Sequence, residues 1–587
     1  MKKIISITLC LIMTVCTLCG VSRADAFADE NSDGDAIFFG HIITMDEENP
    51  TAEALAVRDG VIIFAGTMEE AAPFIGTNTK VYDYEDSFIY PGFLEAHTHG
   101  YLAGYRAIGQ ADLSPIFPTD YDEIRRVIKE FIKQNPDRDI YLAAGWVENE
   151  EYVSRDYLDE ICSDKPLIMN TGGGHSCLLN TKALEWAGID AAYAKEVGYE
   201  MVHVDEDGEP DGYICEMPAI EVVNKIPVTF EDAKTYLLNW QNYAFENGFT
   251  AVADAGADLA FADASKVYHE LEEEGKLKLR TYSYLMVPDN AEDPSAEISR
   301  IVEDRAKYSD EYYHIIGVKV FLDGVTEAHT AWQTWDYADE PGYHGVERFN
   351  DHDKMVELIT AADAEGLSVH VHSEGSGATH FMLNCIEDAE KITGDMDQRN
   401  VIAHLHFVDD EDIQRMVATG SIPAVAPLWT PKFAGEYENE VSFVGQEHAD
   451  NSYPIKSFCD AGANIVFHSD YPITPEMNIN RSIYMAELRA VPEEELGGLA
   501  TQRNIKEAIS REQALRAMTI NVAYAWKQED RIGSLEVGKL ANMSVFDCDF
   551  LHDDAEKVSA ATVIATVIDG EEVYNSGFSS SLLISAA

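Results

Sequence analysis

Between residues 91 and 530, short apolar runs alternate with longer segments whose apolar residues recur every three to four positions. That alternation is the pattern of βα units, in which a parallel strand is buried on both faces and a crossover helix covers it. Residues 250–253, 280–286, 317–321, 367–372, 400–405 and 464–468 read as such strands, and residues 89–96 and 140–144 bring the number near that of a closed barrel. Helices are predicted over residues 353–365, 379–392, 409–419 and 510–526. Residues 104–249 are too many for one βα connection and predict an inserted subdomain. The expected fold class is therefore α/β, a (β/α)8 TIM-type barrel over residues 91–530 with an insertion.

Both flanks have a different texture. Residues 35–90 carry short β-rich runs (36–44, 54–58, 61–65, 80–84) broken by turns such as Asp59-Gly60, and residues 531–587 repeat that pattern at 544–547, 562–567 and 572–574, around Asp569-Gly570. Two ends of like character predict one small β-sandwich closed by both termini. With 587 residues, the chain is long enough for this division.

The first residues, Met1-Lys2-Lys3, precede an uncharged run from Ile4 to Val21 and then Ala24-Asp25-Ala26. A basic start, an apolar core and an A-x-A site form a secretory signal, predicted here as residues 1–26; an uncleaved anchor is the alternative that the length of the run permits. An exported product without stable membrane contact after cleavage is expected. The 105 acidic residues against 42 Lys plus Arg give a formal charge of −63. Such a surface repels polyanions, so nucleic acid and anionic lipid are both disfavoured as partners, while a small-molecule substrate and a homo-oligomer both stay open. Six cysteines (Cys162, Cys177, Cys215, Cys385, Cys459, Cys548) follow the signal with no C-x-x-C spacing, which permits disulfides and buried thiols alike.

In Tyr90-Pro91-Gly92-Phe93-Leu94-Glu95-Ala96-His97-Thr98-His99-Gly100, two histidines alternate at the end of an apolar strand. Period two puts both imidazoles on one face, and at the C-terminal mouth of a barrel such a pair can hold a divalent ion. His370 and His372 end another strand, His404 and His406 a third, and Asp470 follows a fourth in His468-Ser469-Asp470-Tyr471-Pro472. A barrel brings all its strand ends to one face, so these separate positions become neighbours.

Together with Gly172-Gly173-Gly174-His175-Ser176, Asp211-Gly212 with Glu216, Gly317-Val318-Lys319 with Asp323-Gly324, and the closing Gly533-Ser534-Leu535-Glu536-Val537-Gly538-Lys539-Leu540-Ala541, these motifs resemble the amidohydrolase superfamily. Within it the chain is similar to the amidohydrolase 3 group, which includes YtcJ-like proteins and N-substituted formamide deformylases. The resemblance implies that His97 and His99 hold a more buried metal and His372 and His404 a more exposed one. It further implies that carboxylated Lys319 bridges the two ions, with zinc the expected metal, and that Asp470 is both ligand and general acid/base in hydrolysis of an amide-type C–N bond. The alternatives are a mononuclear deaminase-type hydrolase on the same barrel and a non-catalytic exported metal- or ligand-binding protein.

The sequence departs from the family pattern at Ser376, where an acidic residue is usual, at His468 for glycine and at His406 for glutamine. His175, His406 and His468 are the candidate substrate-binding residues. Trp146 reads as core, and Asp254, at a strand end before a turn, is left outside the site. Signal cleavage predicts a mature chain beginning at Phe27; N-terminal sequencing of the cell-produced protein that finds Met1 retained favours the anchor instead.

Overall fold

The computed structural model describes residues 34–117, 119–147, 153–171, 176–394, 397–493, 498–577 and 581–582. The proposed signal segment and His175 lie outside them. Two compact units are present, residues 101–240 forming one and the flanking segments together the other.

The chain enters through β1 (Ala36–Ile43), β2 (Thr51–Arg58), β3 (Val61–Gly66) and the long β4 (Lys80–Pro91). The first barrel strand, β5 (Phe93–Thr98), comes after a single residue, Gly92. A Cβ at Gly92 would fall 2.1 Å from Thr250 Oγ1, so only glycine fits this crossing. Residues 89–91, read from sequence as the start of the barrel strand, are instead the end of β4, where they pair with a strand near the C-terminus.

The unit of residues 101–240 has its own six-stranded sheet of β6 (Ala111–Asp112), β7 (Tyr141–Trp146), β8 (Leu167–Thr171), β9 (Ser176–Leu179), β10 (Val202–Val204) and β11 (Pro210–Cys215), in the order β10-β11-β9-β8-β7-β6. The run at 140–144, which the sequence pattern assigns to the barrel, is therefore β7 of this sheet. Trp146 packs in its core with Leu113, Ile128 and Leu167.

The barrel continues through β12 (Phe249–Ala255), β13 (Arg280–Met286), β14 (Tyr313–Phe321), β15 (Ser368–Ser373), β16 (Val401–His404), β17 (Ile422–Val425) and β18 (Val466–Phe467). Every neighbouring pair is parallel, and a parallel bridge between Thr98 and Tyr471 closes the ring. Strand β12 is buried along its whole length, as expected of a strand covered on both faces. Strand β17 escapes the sequence pattern because it is four residues long and contains Pro423, which removes a ladder donor. Leu94, Ala251, Tyr282, Val401, Ile422 and Val466 cluster with Val522, Ala525 and Trp526. The run at 510–526 is two helices, Arg511–Ala517 and Ile520–Ala525; the break leaves the Met518 carbonyl to accept the Leu94 amide of β5 at 2.8 Å.

The chain ends in β19 (Met543–Phe546), β20 (Val563–Ile568), β21 (Glu571–Asn575) and β22 (Ser581–Leu582). These join the first four strands in one sheet ordered β21-β20-β19-β4-β1-β2-β3, with β22 on β4. The sheet curls until Val61 of β3 bridges Leu540, just ahead of β19, enclosing Phe38, Leu55, Ile62, Ile89, Val545 and Val567. The six cysteines among the described residues are free thiols, and no helix of the described residues is long and apolar enough to cross a membrane.

Arg280, at the start of β13, is 1% exposed and places Nη2 2.9 Å from both carboxylate oxygens of Asp569, in the turn between β20 and β21. Removing one partner of a buried pair leaves a charge without compensation. Because Glu311 stays 3.4 Å away, Asp569→Ala is expected to cost about 3 kcal/mol, the low end for such a break. The measurement is the denaturation midpoint, and an unchanged midpoint would show that this link carries no stability.

Candidate metal centre

Two short segments build one part of the site. The end of β5 presents His97 and His99, and the turn after β18 presents Asp470; the Asp470 amide donates to the His97 carbonyl at 3.1 Å and the His99 amide to the Tyr471 carbonyl at 2.9 Å. As a result Asp470 Oδ1 lies 3.3 Å from His97 Nε2 and 3.2 Å from His99 Nε2. The three ligand-type atoms lie within 4.8 Å of one another. Glu95, 4% exposed, reinforces the seam by accepting the amides of His97 (3.3 Å) and Ser469 (3.0 Å) on one oxygen.

The other strand ends converge on the same place. His404 has its ring centroid 5.0 Å from that of His97 and 4.4 Å from that of His372, and Trp429 stacks on its outer face at 5.6 Å. His404 and Asp470 both have positive φ, 81° and 58°; such strained backbone in non-glycine residues concentrates at functional sites. His372 places Nε2 2.9 Å from the Gly324 carbonyl and 3.6 Å from Asp323 Oδ1, which leaves Nδ1 for a ligand. Asp323 is itself fixed, accepting the amides of Glu374, Gly375 and Trp332.

Lys319 enters from β14, fully buried, and its Nζ has no hydrogen-bond partner among the described residues. Burial pulls its ammonium down to about 7, partly opposed by the Asp470 carboxylate. Burial likewise holds His97, His370, His372 and His404 below the ordinary imidazole range. Asp470 is also lowered, but against its burial: burial disfavours its charge, yet His99 and His404 beside it hold the carboxyl well below the usual range. Neutral imidazoles with free lone pairs and an ionised carboxylate are the donor set that a divalent ion requires. Further buried nitrogens without partners, His99 Nδ1 and His404 Nδ1, fit such a group. The residues present thus fit a metal.

The three candidate substrate residues fare differently. His468 is buried, its ring 5.2 Å from His97 and 5.1 Å from His404, so it belongs to the cluster. His406 does not face it: Nδ1 lies 3.2 Å from Thr326 Oγ1 and 3.7 Å from Glu374, Nε2 lies 3.2 Å from Glu440, and Phe407 and Tyr453 sandwich the ring. Burial works against its charge, but Glu440 and Glu374 outweigh it and push the imidazole up to about 9. With both nitrogens engaged, His406 ties loops together rather than offering a donor to substrate. His175 is outside the described residues. Sequence reasoning passed over Glu95, Asp323 and His370 as site residues; the alternation of His370 with His372 was the available signal. Asp254, left out of the site, accepts the Gly100 amide and the Tyr268 hydroxyl, holding the chain just past His99.

A second cluster of ligand-type residues, His380, Glu411 and Asp412, already holds a cation. Arg415 donates to Asp412 at 2.7 Å.

A sequence profile described as the amidohydrolase family matches residues 80–574. The chain belongs to the amidohydrolase family. This is a metal-dependent family, and the match spans the whole barrel together with the candidate metal-binding residues. Among relatives, the amidohydrolase is 27% identical to the protein LONG AFTER FAR-RED 3 of Arabidopsis thaliana, covering 91% of this chain and 90% of that one. It is 27% identical to the putative amidohydrolase YtcJ of Bacillus subtilis, over 91% and 98%. An N-substituted formamide deformylase of Arthrobacter pascens is 26% identical over 91% and 97%. Among solved structures, an uncharacterized metal-dependent hydrolase of Pyrococcus furiosus superposes with a TM-score of 0.69 at 24% identity, over 88% of this chain and 100% of that one, which supports the fold.

Gly317 sets how closely β14 can bring Lys319 to its neighbours. A Cβ there would lie 2.3 Å from the Ser368 carbonyl oxygen and 2.5 Å from the Tyr284 ring. Gly317→Ala must push β14 off β15, an overpacking cost of about 1–3 kcal/mol, and is expected to lower both the melting temperature and the metal content of the purified amidohydrolase. Full metal content at an unchanged melting temperature would refute this spacing role.

Proposed function

We propose that this amidohydrolase is an exported hydrolase of a C–N bond in a small amide, an N-formyl or an N-acyl amine. The observation that carries the reading is the fully buried Nζ of Lys319, which has no hydrogen-bond partner among the described residues and interacts electrostatically with the Asp470 carboxylate and with His97, His370 and His372. A buried charge is normally paired or bound to metal. At a pKa near 7, Lys319 has a neutral amine fraction at neutral pH, the form to which CO₂ adds with loss of one proton. The resulting anion could be shared by two cations, one held by His97, His99 and Asp470 and the other by His372 and His404; zinc is the expected metal.

Such ions, when bound, acidify a water and polarise the substrate carbonyl. The protein's part is then a proton transfer. Asp470, kept ionised by the imidazoles around it, takes the proton of the attacking water as its oxygen bonds to the carbonyl carbon. It returns that proton to the nitrogen as the C–N bond breaks. Trp429, stacked on His404 and fixed by a 2.7 Å bond from Nε1 to Thr474 Oγ1, covers one face of that proposed ligand. The name of the deformylase relative supports an N-formyl amine among the substrates, and the apolar run ahead of Ala24-Asp25-Ala26 supports export.

A second reading keeps one ion, because among the described residues of this set His97, His99 and Asp470 form the one group of three or more His, Cys, Asp or Glu whose ligand atoms lie within 4.8 Å of one another. Metal analysis separates the two: two divalent ions per chain, falling to one in Lys319→Ala, are expected, and one ion in the wild type favours the mononuclear site. In a mass-spectrometric screen of formamides, acyl amines, cyclic amides and esters, Asp470→Asn should lower kcat by about 10²–10⁴ on any substrate found. A fully loaded wild type that releases no amine or acid from the panel overturns the hydrolase reading in favour of a binding protein.

A further inference from the structure

In the ring of eight strands, β15 stands four places from β5 in either direction, directly across the barrel. His370 on β15 spans that interior to place Nε2 2.8 Å from His97 Nδ1. Both rings are essentially unexposed, and the edge of Tyr284 packs against His370 at 4.6 Å. His97 is therefore engaged at both nitrogens, by His370 at Nδ1 and by Asp470 at Nε2, 3.3 Å away.

An imidazole pair joined by one hydrogen bond has two arrangements. In one, His370 donates from Nε2 and His97 carries its proton on Nε2, where the lone pair that an ion needs is blocked. In the other, His97 donates from Nδ1, its Nε2 lone pair is free toward Asp470, and His370 carries its proton on Nδ1. Charging both rings is disfavoured by burial and by Lys319, so the choice lies between these neutral forms, and moving from one to the other releases no proton. A ligating histidine ordinarily gives its second N–H to a carboxylate or carbonyl; around His97 Nδ1 that acceptor is another imidazole.

We infer that His370 is the positioning residue of the metal centre, accepting the His97 Nδ1 proton so that Nε2 is fixed as the ligand atom. The inference rests on the proposal that His97 binds a divalent ion, and it adds a residue that touches neither ion nor substrate. Leucine at 370 removes the acceptor; glutamine keeps one, since its side-chain oxygen can take the same proton.

The test is zinc affinity of the metal-stripped full-length protein, measured by competition with a chelator. His370→Leu is expected to bind about 10–100-fold more weakly than wild type, and His370→Gln within a few-fold of it. Equal weakening in both variants, or none in His370→Leu, overturns the inference, since packing alone would not separate them. A measurement on the wild type guards against a variant that fails to fold: in the zinc-loaded, ¹⁵N-histidine-labelled protein, His97 Nδ1 must show the chemical shift of a protonated nitrogen, and an unprotonated Nδ1 refutes the assignment. His97→Ala keeps the two levels apart. Zinc affinity lost in His97→Ala but intact in His370→Leu defeats this inference alone, whereas a wild type that takes up no zinc defeats the metal reading and this inference with it.

Discussion

Closure of the barrel between β18 and β5 is the contact on which the site depends. Strand β18 has two residues, so its pairing with β5 relies on contacts made just past its end: the Thr98–Tyr471 bridge, the His99 and Asp470 amide bonds, and the Glu95 carboxylate that receives one amide from each side. Every group in that seam is, or adjoins, a proposed ligand. Among the described residues Glu95 is in no ion pair, and burial pushes its carboxyl up to about 8, so the seam is held by a group that is largely neutral at pH 7. An ion on His97, His99 and Asp470 would join the same two segments, so filling the site and closing the barrel are coupled.

The loops beyond the strand ends are held by a different device. His406 links Thr326 and Glu374, which lie past the ends of β14 and β15, to Glu440 in the helix Glu436–Val444, and Arg503 pairs with Glu440 in turn. Here one imidazolium sits between two carboxylates, the reverse of the situation two residues earlier, where His404 has an imidazole, a carboxylate and an indole around it. The same side-chain type thus serves as a cationic clamp on one side of a strand end and as a neutral donor on the other. Burial is alike for the two; the number of nearby carboxylates decides.

Range along the chain decides how much of this is legible in the sequence. The strand ends bearing His97, His99, His372, His404 and Asp470 were legible because a barrel converts a repeated local pattern into one three-dimensional cluster, and the terminal strands because turns and alternation are local. Strand β17 was not, since Pro423 masks it, and β7 was misplaced because a buried parallel strand reads alike in either sheet. The role of His406 depends on Glu440, thirty-four residues further on, and that of His370 on a partner 273 residues away. No local pattern carries such information. The break at Met518 is similar, for it answers the Leu94 amide of the first barrel strand.

Lys319 shows why this cluster suits ions better than an empty polar core. As an ammonium it has no hydrogen-bond acceptor among the described residues, only the Phe321 ring 5.0 Å away, and burial has brought its pKa down to about 7. As a neutral amine it would still hold two N–H groups with nothing to receive them, at the penalty of unmade hydrogen bonds. As a carbamate it would become an anion, which the buried pocket would tolerate only beside positive charge. The imidazoles cannot supply that charge, because burial keeps them neutral. Cations from outside can, and they would be held by the lone pairs that this neutrality leaves free. The burial that makes Lys319 costly in the metal-free chain is therefore what makes its carboxylation and the binding of ions depend on each other.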